Sequence, residues 1–82
     1  MRLSEQIDAL KYQGYDVRIQ HVRNENENGE VLPKGGSTLA FISYPRTDWV
    51  LVGIAECSDQ DNYNKRLGAQ IALGRASKEL MT

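Results

Sequence analysis

Two apolar runs separated by four turn-forming residues constrain the fold most strongly. Residues 38–44, TLAFISY, and residues 49–57, WVLVGIAEC, are rich in the β-branched and aromatic side chains that favour strands. The intervening residues 45–48, PRTD, suit a tight turn, so the two runs predict an antiparallel hairpin. The second run is apolar at almost every position, which is typical of a central or doubly covered strand.

A third strand and a short helix are predicted upstream of the hairpin. Residues 15–23 alternate between apolar and polar side chains, which indicates a half-buried strand. Residues 4–13 have helical periodicity, with Ser4 as the expected N-cap and Gly14 as the left-handed residue that ends the helix. Residues 24–36 are expected to form an exposed connection that ends in a flexible KGG turn.

A final helix is predicted over residues 58–80, where Ser58 and Asp61 approximate a capping box. Its small residues are Gly68, Ala69, Ala72, Gly74 and Ala76. Because each helical glycine costs about 1 kcal/mol relative to alanine, these residues predict close contact with another element. The resulting order α-β-β-β-α predicts an α+β fold: one small domain over residues 1–82, with a three-stranded antiparallel meander packed by a long C-terminal helix.

Length and composition restrict the class of protein. A chain of 82 residues makes one domain whose hydrophobic core is only just sufficient. No apolar run approaches the roughly 20 residues that span a bilayer, and the N-terminus lacks the layout of a signal peptide. A single cysteine fits a reducing compartment. We therefore expect a cytoplasmic protein without a membrane partner.

The residue types that carry chemistry are sparse. His21 and Cys57 are the only histidine and cysteine, which excludes metal sites built from clusters of these ligands. A Cys57–His21 dyad is formally possible, but a strand cysteine in an apolar run favours inert packing. Asp59 and Asp61 are explained by capping at a helix start. The sequence therefore predicts no enzyme, no cofactor and no metal site.

Two sets of residues are candidates for binding. Six cations could contact phosphates or an acidic protein surface: Lys34, Arg46, Lys65, Arg66, Arg75 and Lys78. With a net charge of −1, a nucleic-acid binder of this kind would depend on such a local patch. Four apolar residues are expected on the sheet face that the helices leave uncovered: Leu39, Phe41, Trp49 and Leu51. Exposed apolar surface marks an interface, and a homodimer is one way to cover it.

Two segments resemble stretches found in small bacteriophage proteins. They are KGGSTLAF and CSDQDNYNKRLGAQIALGRA. The similar positions are Lys34, Gly35, Gly36, Cys57, Asp61, Asn62, Lys65, Gly68, Ala72, Gly74 and Arg75. The resemblance implies a phage or prophage accessory protein, a class that includes blockers of host enzymes and of antiviral systems.

The element order is also similar to that of a double-stranded-RNA-binding domain. In that family the start of the last helix contacts phosphates, a role that the resemblance implies for Lys65 and Arg66. Three hypotheses follow. The first is a non-catalytic binding protein that inhibits or modulates a host or antiviral-defence protein complex. The second is a nucleic-acid-binding module with a basic patch on the C-terminal helix. The third is a small nucleotide-binding protein whose site forms between two subunits.

Overall fold

The structure, a computed structural model, describes residues 2–80 and has the predicted order of elements. The elements are α1 (Leu3–Tyr12), β1 (Asp16–Val22), β2 (Lys34–Ser43), β3 (Val50–Asn62) and α2 (Lys65–Leu80). The strands form one antiparallel sheet in the order β1-β2-β3, so the predicted α+β meander is confirmed. Residues 1, 81 and 82 of the predicted domain lie outside the described residues.

The strand register assigns each side chain to one of two faces. Phe41 lies between Arg18 and Val52, and Leu39 lies between Gln20 and Ile54. Because side chains alternate along a strand, odd-numbered residues of β1 and β3 share a face with even-numbered residues of β2. This face packs against α2 and is called the covered face; the opposite one is called the open face.

The core lies between α2 and the covered face, and it is built from small side chains. Its buried apolar residues are Ala40, Ile42, Ala55, Ala69, Ala72, Leu73 and Ala76. A Cβ atom on Gly53 would overlap the Ala72 carbonyl oxygen, and one on Gly68 would lie 2.5 Å from Thr38 Oγ1. The predicted contact role of the small helical residues is therefore confirmed, except at Gly74, where a Cβ would meet open space.

The boundary between β3 and α2 corrects the sequence prediction. Residues 58–62 continue β3, and α2 begins at Lys65 instead of Ser58. The helix is capped by Asn64, whose Oδ1 accepts a hydrogen bond of 3.0 Å from the Leu67 amide. The capping-box interpretation of Ser58 and Asp61 is wrong because pairing of Asn62 with Lys34 extends the strand through this segment.

Two smaller corrections concern glycine and capping signals. Gly35 and Gly36 have φ values of 75° and 122° and form a bulge inside β2, where Gly35 is buried, instead of a flexible turn. The predicted Ser4 cap is wrong, because α1 begins after Arg2 without a side-chain cap. Gly14, with φ of 97°, does end α1 as predicted. Within residues 2–80 neither helix has the length and apolar character needed to cross a membrane.

Candidate interaction surface

The open face carries six large apolar side chains. Its apolar residues are Val22, Leu39, Phe41, Val50, Val52 and Ile54. Val50 is 53% exposed, and Val52 and Ile54 are each 45% exposed. No element among residues 2–80 packs on this side of the sheet, since both helices contact the covered face. The result is a contiguous apolar surface that the monomer leaves in water.

The open face is mainly polar along β1, where Val22 is the exception, and mainly apolar along β3, where Glu56 is the exception. Asp16, Arg18 and Gln20 project from β1, whereas Val52 and Ile54 project from β3. A shallow trough of about 660 Å³ crosses the face. Its lining includes Asp16, Arg18, Gln20, Phe41, Ser43 and Val50. The trough therefore runs from the charged side chains of β1 past the Phe41 ring to Val50 on β3.

Two of the four apolar residues expected on this face are placed elsewhere. Leu39 and Phe41 do lie on the open face, but Leu51 packs against the core on the covered face. Trp49 lies 6.4 Å, between ring centroids, from Tyr15, which also packs against the core. The prediction is wrong for Trp49 and Leu51 because Phe41 pairs with Val52, an even-numbered residue. The alternation along β3 grouped Val50, Val52 and Ile54 correctly, and only the register joins them to Phe41.

The six candidate cations do not form one patch. Lys34, Lys65 and Arg66 lie at the end of the sheet where β2 begins and β3 ends. Arg46 lies in the turn at the opposite end, about 30 Å away along the ten residues of β2. The Arg75 guanidinium donates to the Ile54 carbonyl oxygen. Lys78 lies in the last turn of α2.

A hydrogen-bonded cluster joins the start of α2 to the sheet. The Tyr63 hydroxyl donates to the Ser37 carbonyl oxygen at 2.9 Å and lies 2.6 Å from Thr38 Oγ1. His21 Nδ1 lies 2.9 Å from the Tyr63 hydroxyl and 3.1 Å from Thr38 Oγ1. The Arg23 guanidinium stacks over the Tyr63 ring at 4.4 Å. Thr38 is fully buried, so the cluster satisfies a polar group in the core.

The tautomer of His21 follows from which groups in this cluster have a proton to donate. The single Tyr63 proton goes to Ser37, so the Thr38 hydroxyl donates to Tyr63 and His21 Nδ1 carries a proton that it donates. Burial lowers the pKa of His21, and the positive charges of Lys65 and Arg23 lower it further. Both effects favour the neutral imidazole, and the hydrogen bonds of the cluster link Tyr63, between β3 and α2, to β1 and β2.

Cys57 and His21 make separate contacts. The Cys57 sulfur lies 3.4 Å from the Asp61 carbonyl oxygen and 3.6 Å from those of Ser58 and Asn62. It lines a cavity of about 250 Å³ between the end of β3 and the start of α2. His21 Nδ1 is engaged by Tyr63 and Thr38, so the structure does not assemble the Cys57–His21 dyad.

The most prominent features of this surface are the trough and the apolar side chains of the open face. Among residues 2–80 there is no cluster of three His, Cys, Asp or Glu side chains that could hold a metal ion. Comparison with models of known families, with curated proteins and with solved structures finds no match for the chain.

Proposed function

We propose that this chain is a non-catalytic binding protein whose open face is its protein-binding surface. The observation that carries the proposal is the exposure of apolar side chains on the open face. Val50, Val52 and Ile54 are exposed to water with the half-buried Phe41 beside them, while Ala40, Gly53 and Ala55 face the chain's own core. Exposure of an apolar sheet face of this kind to water is unfavourable, and its burial by a partner is favourable.

The charged residues around the face support a protein partner over a nucleic acid. Asp16 and Glu56 bring negative charge to the same side of the sheet as Arg18. A phosphate backbone needs a continuous positive surface, whereas a protein interface commonly has an apolar centre and a rim of mixed charge. The spread of the six candidate cations over both ends of the sheet points the same way.

The resemblance to small phage proteins extends the proposal to the kind of partner. The partner is a host or antiviral-defence protein, and the chain inhibits or modulates it by occupying one of its surfaces. Nucleic-acid binding and nucleotide binding between subunits stay predictions of the sequence, without a structural feature that favours them.

Affinity capture from a bacterial lysate tests the proposal, with Val52→Asp as the variant and Leu67→Asp as the matched control. Leu67 is 53% exposed on α2, so the control removes a similar apolar side chain from a different surface. We expect the wild type and Leu67→Asp to retain the same host protein and Val52→Asp to lose it. Retention by Val52→Asp would contradict the proposal.

A mobility-shift assay with duplex RNA and duplex DNA tests the main alternative. The proposal predicts no shift at low or moderate salt. A shift that weakens steeply as salt rises would favour the nucleic-acid-binding module instead.

A further inference from the structure

The outer edge of β1 has a regular row of outward backbone groups. The Val22 carbonyl oxygen points toward β2, because a Cβ atom on Gly36 would lie 2.7 Å from it. Successive residues of a strand direct their backbone groups to opposite sides, so Val17, Ile19 and His21 direct theirs away from β2. The pairing of β1 with β2 has no bulge, so these outward groups recur at every second residue.

The outward groups of β1 are unused, whereas the opposite edge is partly occupied. Among residues 2–80, the backbone groups of Val17, Ile19 and His21 on this edge have no hydrogen-bond partner. On the edge formed by β3, the Arg75 guanidinium donates to the Ile54 carbonyl oxygen. β1 also contains none of the prolines, lysines and bulges that commonly protect an edge strand. Its edge is therefore open to main-chain pairing with an extended segment.

Helix α1 lies over this edge strand with its apolar side incompletely covered. It contacts β1 and α2, and none of its residues is buried. Leu3, Ile7 and Leu10 pack against the core but are only half-buried. Gln6 lies one turn from Leu3 and Leu10, and its side-chain oxygen is shielded from water without a hydrogen-bond partner among residues 2–80. A strand added to β1 would continue the covered face on the side where α1 lies.

Asp16 and Arg18 define the charges that the added strand has to carry. Both project from β1 on the open face, and among residues 2–80 neither has an ion-pair partner. In a strand paired with β1, the side chains opposite these two are direct neighbours, where opposite charges are favourable. The complementary segment therefore has a basic and an acidic residue two positions apart. Its alternate residues face the covered side, where apolar side chains suit the half-buried side of α1.

A second copy of β1 does not provide this complement along the whole strand. Two antiparallel copies that overlap over all seven residues place Arg18 opposite Gln20 and Asp16 opposite Val22. The register that places Asp16 opposite Arg18 centres the two-fold axis on Val17, and it pairs only residues 16–18 of each strand. A segment of a different protein is free of this restriction.

We propose that the outer edge of β1 binds an extended segment of the partner protein as a fourth strand of the sheet. The proposal rests on the proposed function, because the added strand belongs to the protein that the chain binds. The segment exchanges main-chain hydrogen bonds with Val17, Ile19 and His21 and pairs its charges with Asp16 and Arg18. Its apolar side chains pack against α1.

Val17→Pro tests the edge, with Val17→Ala as its matched control. Proline removes the outward amide donor and leaves the hydrogen bonds to β2, since edge strands tolerate proline where the N–H faces water. Alanine shortens the side chain and keeps the donor. In affinity capture from the bacterial lysate, we expect Val17→Ala to retain the host protein and Val17→Pro to bind it roughly tenfold more weakly. Circular dichroism establishes that both variants are folded, and equal capture by the two would overturn the proposal.

Amide hydrogen exchange of the wild type tests the same edge without a substitution. In the free chain, the amides of Val17 and Ile19 are expected to exchange faster than those of Arg18 and Gln20, which bond to β2. In complex with the captured host protein, the amides of Val17, Ile19 and His21 should exchange roughly tenfold more slowly or less. Unchanged exchange of these three amides in the complex would overturn the proposal.

The outcomes separate this proposal from the proposed function. Loss of the host protein in Val52→Asp with retention in Val17→Pro would support the open face and overturn the edge strand. Loss in Val17→Pro with retention in Val17→Ala and Val52→Asp would support the edge strand and overturn the open face. A wild type that captures nothing would overturn both. A species of twice the 9.2 kDa chain mass in sedimentation, abolished by Val17→Pro, would assign the edge to a second copy and overturn the partner segment.

Discussion

The two faces of one sheet differ in how closely another element can approach them and in how much apolar surface they leave in water. On the covered face, Ala40, Gly53 and Ala55 lie under α2, and the largest fully buried apolar side chains are Ile42 and Leu73. On the open face three valines and Ile54 are exposed to water, beside the half-buried Leu39 and Phe41. The covered face is built for close approach of backbones, while the open face holds the apolar area that the fold itself does not use. We infer that the two faces are under different physical constraints. Side chains on the covered face must be small enough for α2 to approach, whereas those on the open face are free of that limit.

The largest effect is expected at Gly53 on the covered face. Gly53→Ala places a Cβ against the Ala72 carbonyl oxygen, and neither backbone can move without separating β3 from α2. We expect the free energy of unfolding to fall by about 3 kcal/mol or more, at the upper end of overpacking effects. Urea denaturation followed by circular dichroism measures it.

Gly74→Ala is the matched control for that change. A Cβ at Gly74 meets open space within a helix, so the free energy of unfolding is expected to rise by about 0.5–1 kcal/mol. Equal losses at Gly53 and Gly74 would contradict close packing as the reason for the glycine on β3.

A smaller loss is expected at Tyr63, which ties the start of α2 to the covered face. Tyr63→Phe removes the hydroxyl that donates to the Ser37 carbonyl and accepts from the buried Thr38 hydroxyl, which keeps only His21 as a partner. We expect the free energy of unfolding to fall by about 2 kcal/mol, the cost of unsatisfied buried polar groups. Tyr12→Phe serves as the control. Tyr12 is 94% exposed, so removal of its hydroxyl should leave the midpoint of denaturation unchanged.

The pH dependence of stability tests the charge environment of the same cluster. The pKa of His21 is lowered below 6.5 in the folded protein, so at acidic pH the unfolded chain binds a proton that the folded chain resists. The contribution of His21 to stability is therefore present above pH 6.5 and is lost as pH falls through the lowered pKa. Denaturation midpoints at a series of pH values measure this loss, and His21→Gln is expected to remove it. An unchanged profile in His21→Gln would assign the dependence to other groups.

The smallest effect is expected on the open face. Val52→Thr keeps the side-chain shape and adds a hydroxyl that water can solvate, so the monomer's free energy of unfolding should change by less than about 0.5 kcal/mol. Val17→Thr makes the same change at a half-buried residue that packs against the core, and a loss of about 1 kcal/mol or more is expected there. Thermal denaturation at low protein concentration compares the two. Equal losses would mean that the open face stabilises the monomer as much as the covered face does.

Local patterns predicted the elements better than their junctions. The β-branched runs, the alternation from Tyr15 to Arg23 and the glycine after α1 indicated the three strands and the first helix. The start of α2 was misplaced because Ser58 and Asp61 carry a genuine helix-start pattern. Pairing of Asn62 with Lys34 and docking of Tyr63 outweigh that pattern, and neither contact is visible locally.

The candidate surface was predicted only in part, for a related reason. Alternation divided β3 correctly into two sets of side chains, but nothing in β3 alone says which set shares a face with Phe41. A shift of one residue in the turn would exchange the sets. The cluster of His21, Thr38 and Tyr63 was not predicted, since its members are separated by 17 and 25 residues and belong to no motif.

The sequence by itself determined which segments are strands and helices, the order α-β-β-β-α and the need for close contact along the final helix. These properties follow from side-chain period and from the conformational preferences of individual residues. Tertiary structure alone decided the register, the boundary of α2 and which apolar side chains remain in water. Those outcomes depend on pairing between distant segments, where the summed energy of many contacts exceeds any local preference.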